Sequence, residues 1–114
     1  MSEYVGGLKH DQGKPPMSLL STTWLKGVAA VLGFGKKKYA AHNWRKGIVQ
    51  SRLMDAALRH ITSYMEGEDF DQESGLSHLD HASCCLMFAR ELLITHPHLD
   101  DRYKINIDKL KKDD

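Results

Sequence analysis

The sequence predicts an all-α protein, a small bundle of three to four helices. Two observations carry this prediction. Apolar residues recur at helical spacing in three separate stretches, and no β-rich region exists from which a sheet could form. A third bears on size: 114 residues support one domain with one modest core. The chain divides into an irregular arm at 1–17, a helical core at 18–96 and a polar tail at 97–114, which together make one domain over 1–114.

In the arm, Gly6-Gly7, Gly13 and Pro15-Pro16 rule out a helix. Ser18 or Ser21 can cap a first helix running to about Gly33, with Leu19, Leu20, Trp24, Val28, Val31 and Leu32 on its apolar side. Gly33, Gly35 and Gly47 punctuate the next stretch, and residues 40–44 read as a loop or a turn of helix. A second helix starts near Ser51 and ends at Gly67, with Leu53, Ala57, Ile61, Tyr64 and Met65 along one side. A third covers about Leu76 to Ile94 and is apolar around most of its girth, as befits a central helix or one with an oligomer face. Pro97 stops it. In the tail, "YKINI" alternates as a short strand or an arm for a neighbouring subunit would.

No apolar run approaches the roughly 18 residues of a membrane span, and Met1–Gly7 lacks a signal-peptide core. The expectation is a cytoplasmic protein with no membrane partner. Cys84 and Cys85 are adjacent, without the spacing of a redox or zinc site, and read as small buried apolar residues. Net charge is +1, but it is unevenly spread. Residues 1–50 hold eight Lys or Arg against two acids; residues 51–100 hold three Arg against nine acids. The halves can attract each other, or form the two sides of one site: cations for phosphate, carboxylates for metal. The basic residues make no long stripe, which argues against a nucleic-acid partner.

Three constellations carry chemistry. The loop "EGEDFDQESG" puts Glu66, Glu68, Asp69, Asp71 and Glu73 within eight residues. Such oxygen-rich clusters suit Mg²⁺ or Mn²⁺, though the spacing is not that of a calcium EF-hand. A solvated loop is the plainer alternative. His78 and His81 come next, at i and i+3 on one helical face, so acids and histidines can serve one metal site. On the preceding helix His60, Tyr64 and Glu68 step by fours towards the loop, and Arg59 can pair with Asp55. In "KKKYAAHNWRKG", Tyr39 and Trp44 can stack on a base, Asn43 can read its edge, and Lys36–Lys38 with Arg45 can hold phosphates. Alternatively Tyr39 and Trp44 plug the end of the bundle while the lysines are solvated. Lys9 and Lys14 lie in a glycine-containing loop that can hold phosphate as point charges, without P-loop spacing.

The stretches "KHDQGKPPMSLL", "VLGFGKKKYAAHNWRKG" and "DAALRHITSYMEGEDFDQESGLSHLDHASCCLMF" together resemble the phage dATP/dGTP diphosphohydrolase N-terminal family, relatives of the MazG-like all-α nucleotide pyrophosphohydrolases. The resemblance covers about residues 8–93. It implies a phage protein acting in the infected bacterial host on purine deoxynucleoside triphosphates, giving monophosphate and pyrophosphate with Mg²⁺ or Mn²⁺. It assigns Glu68, Asp71 and Glu73 to catalysis and, with His78 and His81, to metal. Lys38, Tyr39, His42, Asn43, Trp44, Arg59 and His60 become pocket residues, joined by Lys9 and Lys14 for phosphate. MazG-like enzymes carry E-x-x-E on one helix and E-x-x-D on the next; Asp55 and Glu66 here lack that spacing. The alternative is therefore a non-catalytic, metal-free sponge that sequesters a cyclic mono- or dinucleotide used in antiphage signalling. Either reading expects a homo-oligomer with its pocket near a subunit interface.

Overall fold

The computed structural model describes residues 6–10 and 12–108. The outer ends of the expected arm and tail, 1–5 and 109–114, lie outside the described residues. The fold is all-helical, with no strand among the described residues beyond one isolated bridge, Phe70 to Ser77. Helix α1 spans Thr22–Lys38, α2 Gln50–Met65 and α3 His78–Thr95; short 3-10 turns occur at Met17–Leu19, Asn43–Lys46 and Pro97–Leu99.

Ser21 caps α1, its Oγ accepting the Trp24 N–H at 3.1 Å. The helix does not stop at Gly33. It runs on through Gly35 and ends with Lys36, Lys37 and Lys38 in its last turn, where cations complement the helix dipole. Phe34 is half-buried and meets the His81 ring edge-on, a tertiary contact that holds the glycine-weakened last turns in place. The start of α2 has no cap from its own neighbour Val49. Asp101, fifty residues away, supplies it by accepting the Ser51 N–H at 2.8 Å and the Ser51 hydroxyl. Gly67, at φ +101°, turns the chain out of α2. Ser77 caps α3.

Helix α3 lies between the other two and packs against both. Val28 and Val31 of α1 meet Cys84, with Leu76, Met87 and Phe88 around them. Leu53 of α2 meets Ala89 and Leu92, with Trp44, Ile48, Met54 and Phe88 around them. Phe88 belongs to both groups and joins them. Cys84 is buried, and desolvation pushes its thiol up to about 12; Cys85 is half-buried and its thiol is raised for the same reason. The buried Gln50 amide donates to the Ala89 carbonyl at 2.9 Å, tying α2 to α3. Where α1 crosses α3, a Cβ on Gly27 would fall on the Asp80 carboxylate, so glycine sets that approach. Gly47, at φ +117°, has Leu99 Cδ1 only 2.7 Å from where a Cβ would stand.

The core is thin. Trp24, expected inside, is 42% exposed and donates its indole N–H to Ser83 Oγ at 2.9 Å. Leu25, Leu32, Leu79 and Leu86 also remain on the surface. Residues 6–10 and 12–20 are exposed throughout, and residues 101–106, including most of "YKINI", take no regular structure. The radius of gyration is 18.8 Å, against about 13 Å for a compact chain of this length. Among the described residues no helix is long and apolar enough to cross a membrane.

Candidate functional site

The polar centre lies where the end of α2, the acidic loop and the start of α3 meet. The loop does not float. Asp71 N donates to Leu76 O at 2.8 Å, Gly75 N to Asp71 O at 2.7 Å, and His78 N to Asp69 O at 3.0 Å. Asp71 Oδ2 accepts the Ser74 N–H at 2.8 Å, a turn made by the side chain itself. These bonds fold the loop back over α3 and point Asp71 inward.

Three imidazoles meet there. His78, 3% exposed, places Nε2 2.6 Å from Glu68 Oε1 and Nδ1 2.9 Å from His60 Nδ1. A carboxylate only accepts, so His78 Nε2 carries a proton. His60 stacks on His81 with ring centres 4.4 Å apart and 8° between planes. His81 Nε2 is 2.7 Å from Ser74 Oγ and 3.9 Å from Asp71 Oδ2. His60, Asp71 and His78 can each offer one donor atom, all within 4.8 Å of one another.

The electrostatics suit cation binding. Burial, reinforced by neighbouring imidazoles, lowers His60; burial also lowers His81. Both rings therefore favour the neutral form that a metal requires. Hydrogen bonds from His78 and Gln72 lower Glu68. Burial works to raise Asp71, but the Ser74 hydrogen bonds and the nearby imidazoles outweigh it and the net shift is downward. An ionised Asp71 beside neutral imidazoles makes a donor set that fits a divalent ion, with the ionised Glu68 behind His78.

The remaining sequence-derived candidates sit elsewhere. Glu73 pairs with Lys38 at 3.1 Å, which brings the basic end of α1 against the acidic loop and raises the Lys38 ammonium. Tyr39 is 57% exposed beneath the Lys38 ammonium. His42 takes a left-handed backbone, φ 65°, and its Nδ1 accepts the Arg45 Nε–H at 3.0 Å. Asn43 opens the 3-10 turn, exposed. Trp44 stacks on Phe88 with centres 4.4 Å apart, and the Arg45 guanidinium stands 4.4 Å from the same ring. Phe88 stacks on one face of the indole, so Trp44 packs into the α2–α3 end of the bundle. Arg59 and Asp55 line a shallow depression on the outer side of α2 with Leu58, Thr62 and Ser63. Lys9 borders a hollow in the arm with His10 and Gln12, and Lys14 is exposed.

Two partners in the polar centre have roles that the sequence alone does not announce. His60, expected among the pocket residues, contacts His78 directly. Ser74 holds both Asp71 and His81 and is not among the expected site residues. The D-x-x-S-G segment at 71–75 carries the signal for a turn-forming serine.

The dATP/dGTP diphosphohydrolase N-terminal family model matches residues 5–102. A protein named dATP/dGTP diphosphohydrolase from Salmonella phage PMBT28 is 44% identical over 96 residues. That match takes in 84% of this chain but 33% of the phage protein, so the chain spans about a third of the relative's length. No solved structure matches it significantly. The chain belongs to the dATP/dGTP diphosphohydrolase N-terminal family.

Proposed function

We propose that the chain is a divalent-metal-dependent nucleoside triphosphate diphosphohydrolase of phage origin, working in the host cytoplasm on dATP and dGTP. The observation that carries this reading is the convergence of Glu68, Asp71, His60, His78 and His81 at one junction, with the lysine-rich end of α1 tied to the same loop through Lys38 and Glu73. The named relative supports the substrate.

The reaction adds water across the α–β phosphoanhydride. The water oxygen bonds to the α-phosphorus, the bridging oxygen leaves with pyrophosphate, and the water's proton is lost. Asp71 would hold the cation, and Asp71 and Glu68, both ionised, would supply the negative charge that favours it. A bound Mg²⁺ or Mn²⁺ would polarise the phosphate oxygens and ease ionisation of the attacking water. Lys36–Lys38 would offset phosphate charge from the α1 side, while Arg59, Lys9 and Lys14 stand apart from the polar centre. Tyr39, the more exposed of the two, is better placed than Trp44 to stack on the base. The exposed Leu25, Leu32, Leu79 and Leu86 support a homo-oligomer that covers them, which sedimentation of the purified chain tests.

The proposal is tested by incubating the protein with dNTPs, NTPs and cyclic nucleotides, with Mg²⁺, Mn²⁺ or EDTA, and separating the products by chromatography before and after heat denaturation. dAMP and dGMP with pyrophosphate, formed only with metal, are expected. Intact nucleotide that disappears and returns on denaturation would show sequestration instead and overturn hydrolysis.

A further inference from the structure

We infer that His60, Asp71 and His78 form a mononuclear site for a borderline divalent transition metal, with Glu68 as the carboxylate that orients His78 rather than as a ligand. This deepens the proposed function, since it rests on the divalent ion that reading requires and specifies which atoms hold it and which ions fit.

The donor set comes first. Two imidazole nitrogens and one carboxylate oxygen make a three-donor set that leaves coordination positions open for water and phosphate. Imidazole favours manganese, iron, cobalt or zinc over magnesium, which is held through oxygen and gives up its waters reluctantly.

Geometry agrees. Bonds of about 2.1 Å put neighbouring donors on one ion roughly 3 to 3.5 Å apart. The two Nδ1 atoms of His60 and His78 already stand 2.9 Å apart. All three donor atoms lie within 4.8 Å, so closure asks for about an ångström of side-chain movement. Asp71 holds its turn through Oδ2, which leaves Oδ1 for the ion.

The surroundings supply an independent observation. His78 Nε2 donates to Glu68 Oε1 at 2.6 Å, so its Nδ1 is left to face His60. A carboxylate behind a ligating imidazole fixes the tautomer and strengthens the ligand. Glu68 in turn accepts from Gln72 Nε2 at 3.0 Å, which orders the orienting group. Glu73 is outside this donor group and pairs with Lys38 instead.

The test is metal binding by the untagged chain after EDTA treatment, with Co²⁺ as the probe. One Co²⁺ per chain is expected, with a visible d–d band that Zn²⁺ abolishes and a large excess of Mg²⁺ leaves intact. His60→Gln and Asp71→Asn should each remove the band while far-UV circular dichroism is unchanged. Glu68→Gln should weaken binding about 10- to 100-fold at unchanged stoichiometry, and Glu73→Gln should bind as the parent does. Should a variant fail to fold, paramagnetic broadening of the His60 and His78 ring signals in the parent protein decides the matter. No stoichiometric Co²⁺, displacement by equimolar Mg²⁺, or broadening confined to other histidines would overturn the site. A chain that binds Co²⁺ in this way but hydrolyses no nucleotide overturns the proposed function and leaves this site standing. One that hydrolyses dGTP with Mg²⁺ yet takes no Co²⁺ here overturns this site alone.

Discussion

The two ends of α3 are built from opposite materials. Its first turn carries His78 and His81 into a nest of imidazoles, carboxylates and a serine, where hydrogen bonds account for the geometry. Its second half carries Phe88, Ala89 and Leu92 into an apolar contact with Leu53 and Trp44, where close packing does. Clustered neutral imidazoles and ionised carboxylates cost desolvation and repulsion, and apolar packing can offset that cost along the same rigid helix. The lesson is a division of labour: the apolar end holds α3 in place so that the polar end can stay pre-arranged.

The comparison breaks most visibly at Leu92, which is 1% exposed. Leu92→Ala should cost about 2–5 kcal/mol, read as a lowered denaturant midpoint. Molecules that remain folded should still bind Co²⁺, and loss of binding without loss of stability would contradict the division. Trp44→Ala should cost about 1–3 kcal/mol, less than a fully buried indole, and Trp44→Phe should recover much of it. Gly47→Ala should cost about 1–3 kcal/mol from its left-handed backbone alone, with the Leu99 clash added; a neutral result would mean that the 3-10 turn moves freely.

Acid sharpens the contrast. Burial holds His60 and His81 below the ordinary imidazole value of 6.5. As pH falls through 6.5 the unfolded chain takes up protons that the folded chain resists, so stability is present above that value and is lost on acidification. Glu68 and Asp71, lowered from 4.5 and 3.8, extend the loss below those values. Leu92→Ala should shift the whole stability-versus-pH curve without changing its slope, whereas His60→Gln should flatten the imidazole segment. The smallest effect belongs to Asp101→Ala, which removes a distant cap and should lower the melting temperature slightly, without change in metal binding.

The helices are legible in the sequence because periodicity is local, and so is Ser21 as a cap. The end of α1 is not: Gly33 and Gly35 argue locally for a stop, and the opposing contact, Phe34 on His81, spans 47 residues. Acids and histidines that share the polar centre are readable as neighbours, since Glu68, Asp71, His78 and His81 fall within fourteen residues. The direction of Glu73 is not readable, because it depends on where Lys38 ends up. Trp44 has two readings in sequence, and only the position of Phe88 on another helix separates a plug from a platform. The Asp101 cap is invisible, because nothing near Ser51 announces a partner fifty residues on.

The most direct test is one preparation of Asp71→Asn measured twice, by thermal melting and by metal-dependent release of dGMP from dGTP. The account predicts turnover reduced at least about a hundredfold, the loss of about 2.7 kcal/mol of transition-state stabilisation, with a melting temperature at or near that of the parent. Full turnover in a folded variant, or a collapse in stability like that of Leu92→Ala, would contradict the claim that this end of α3 is built for chemistry.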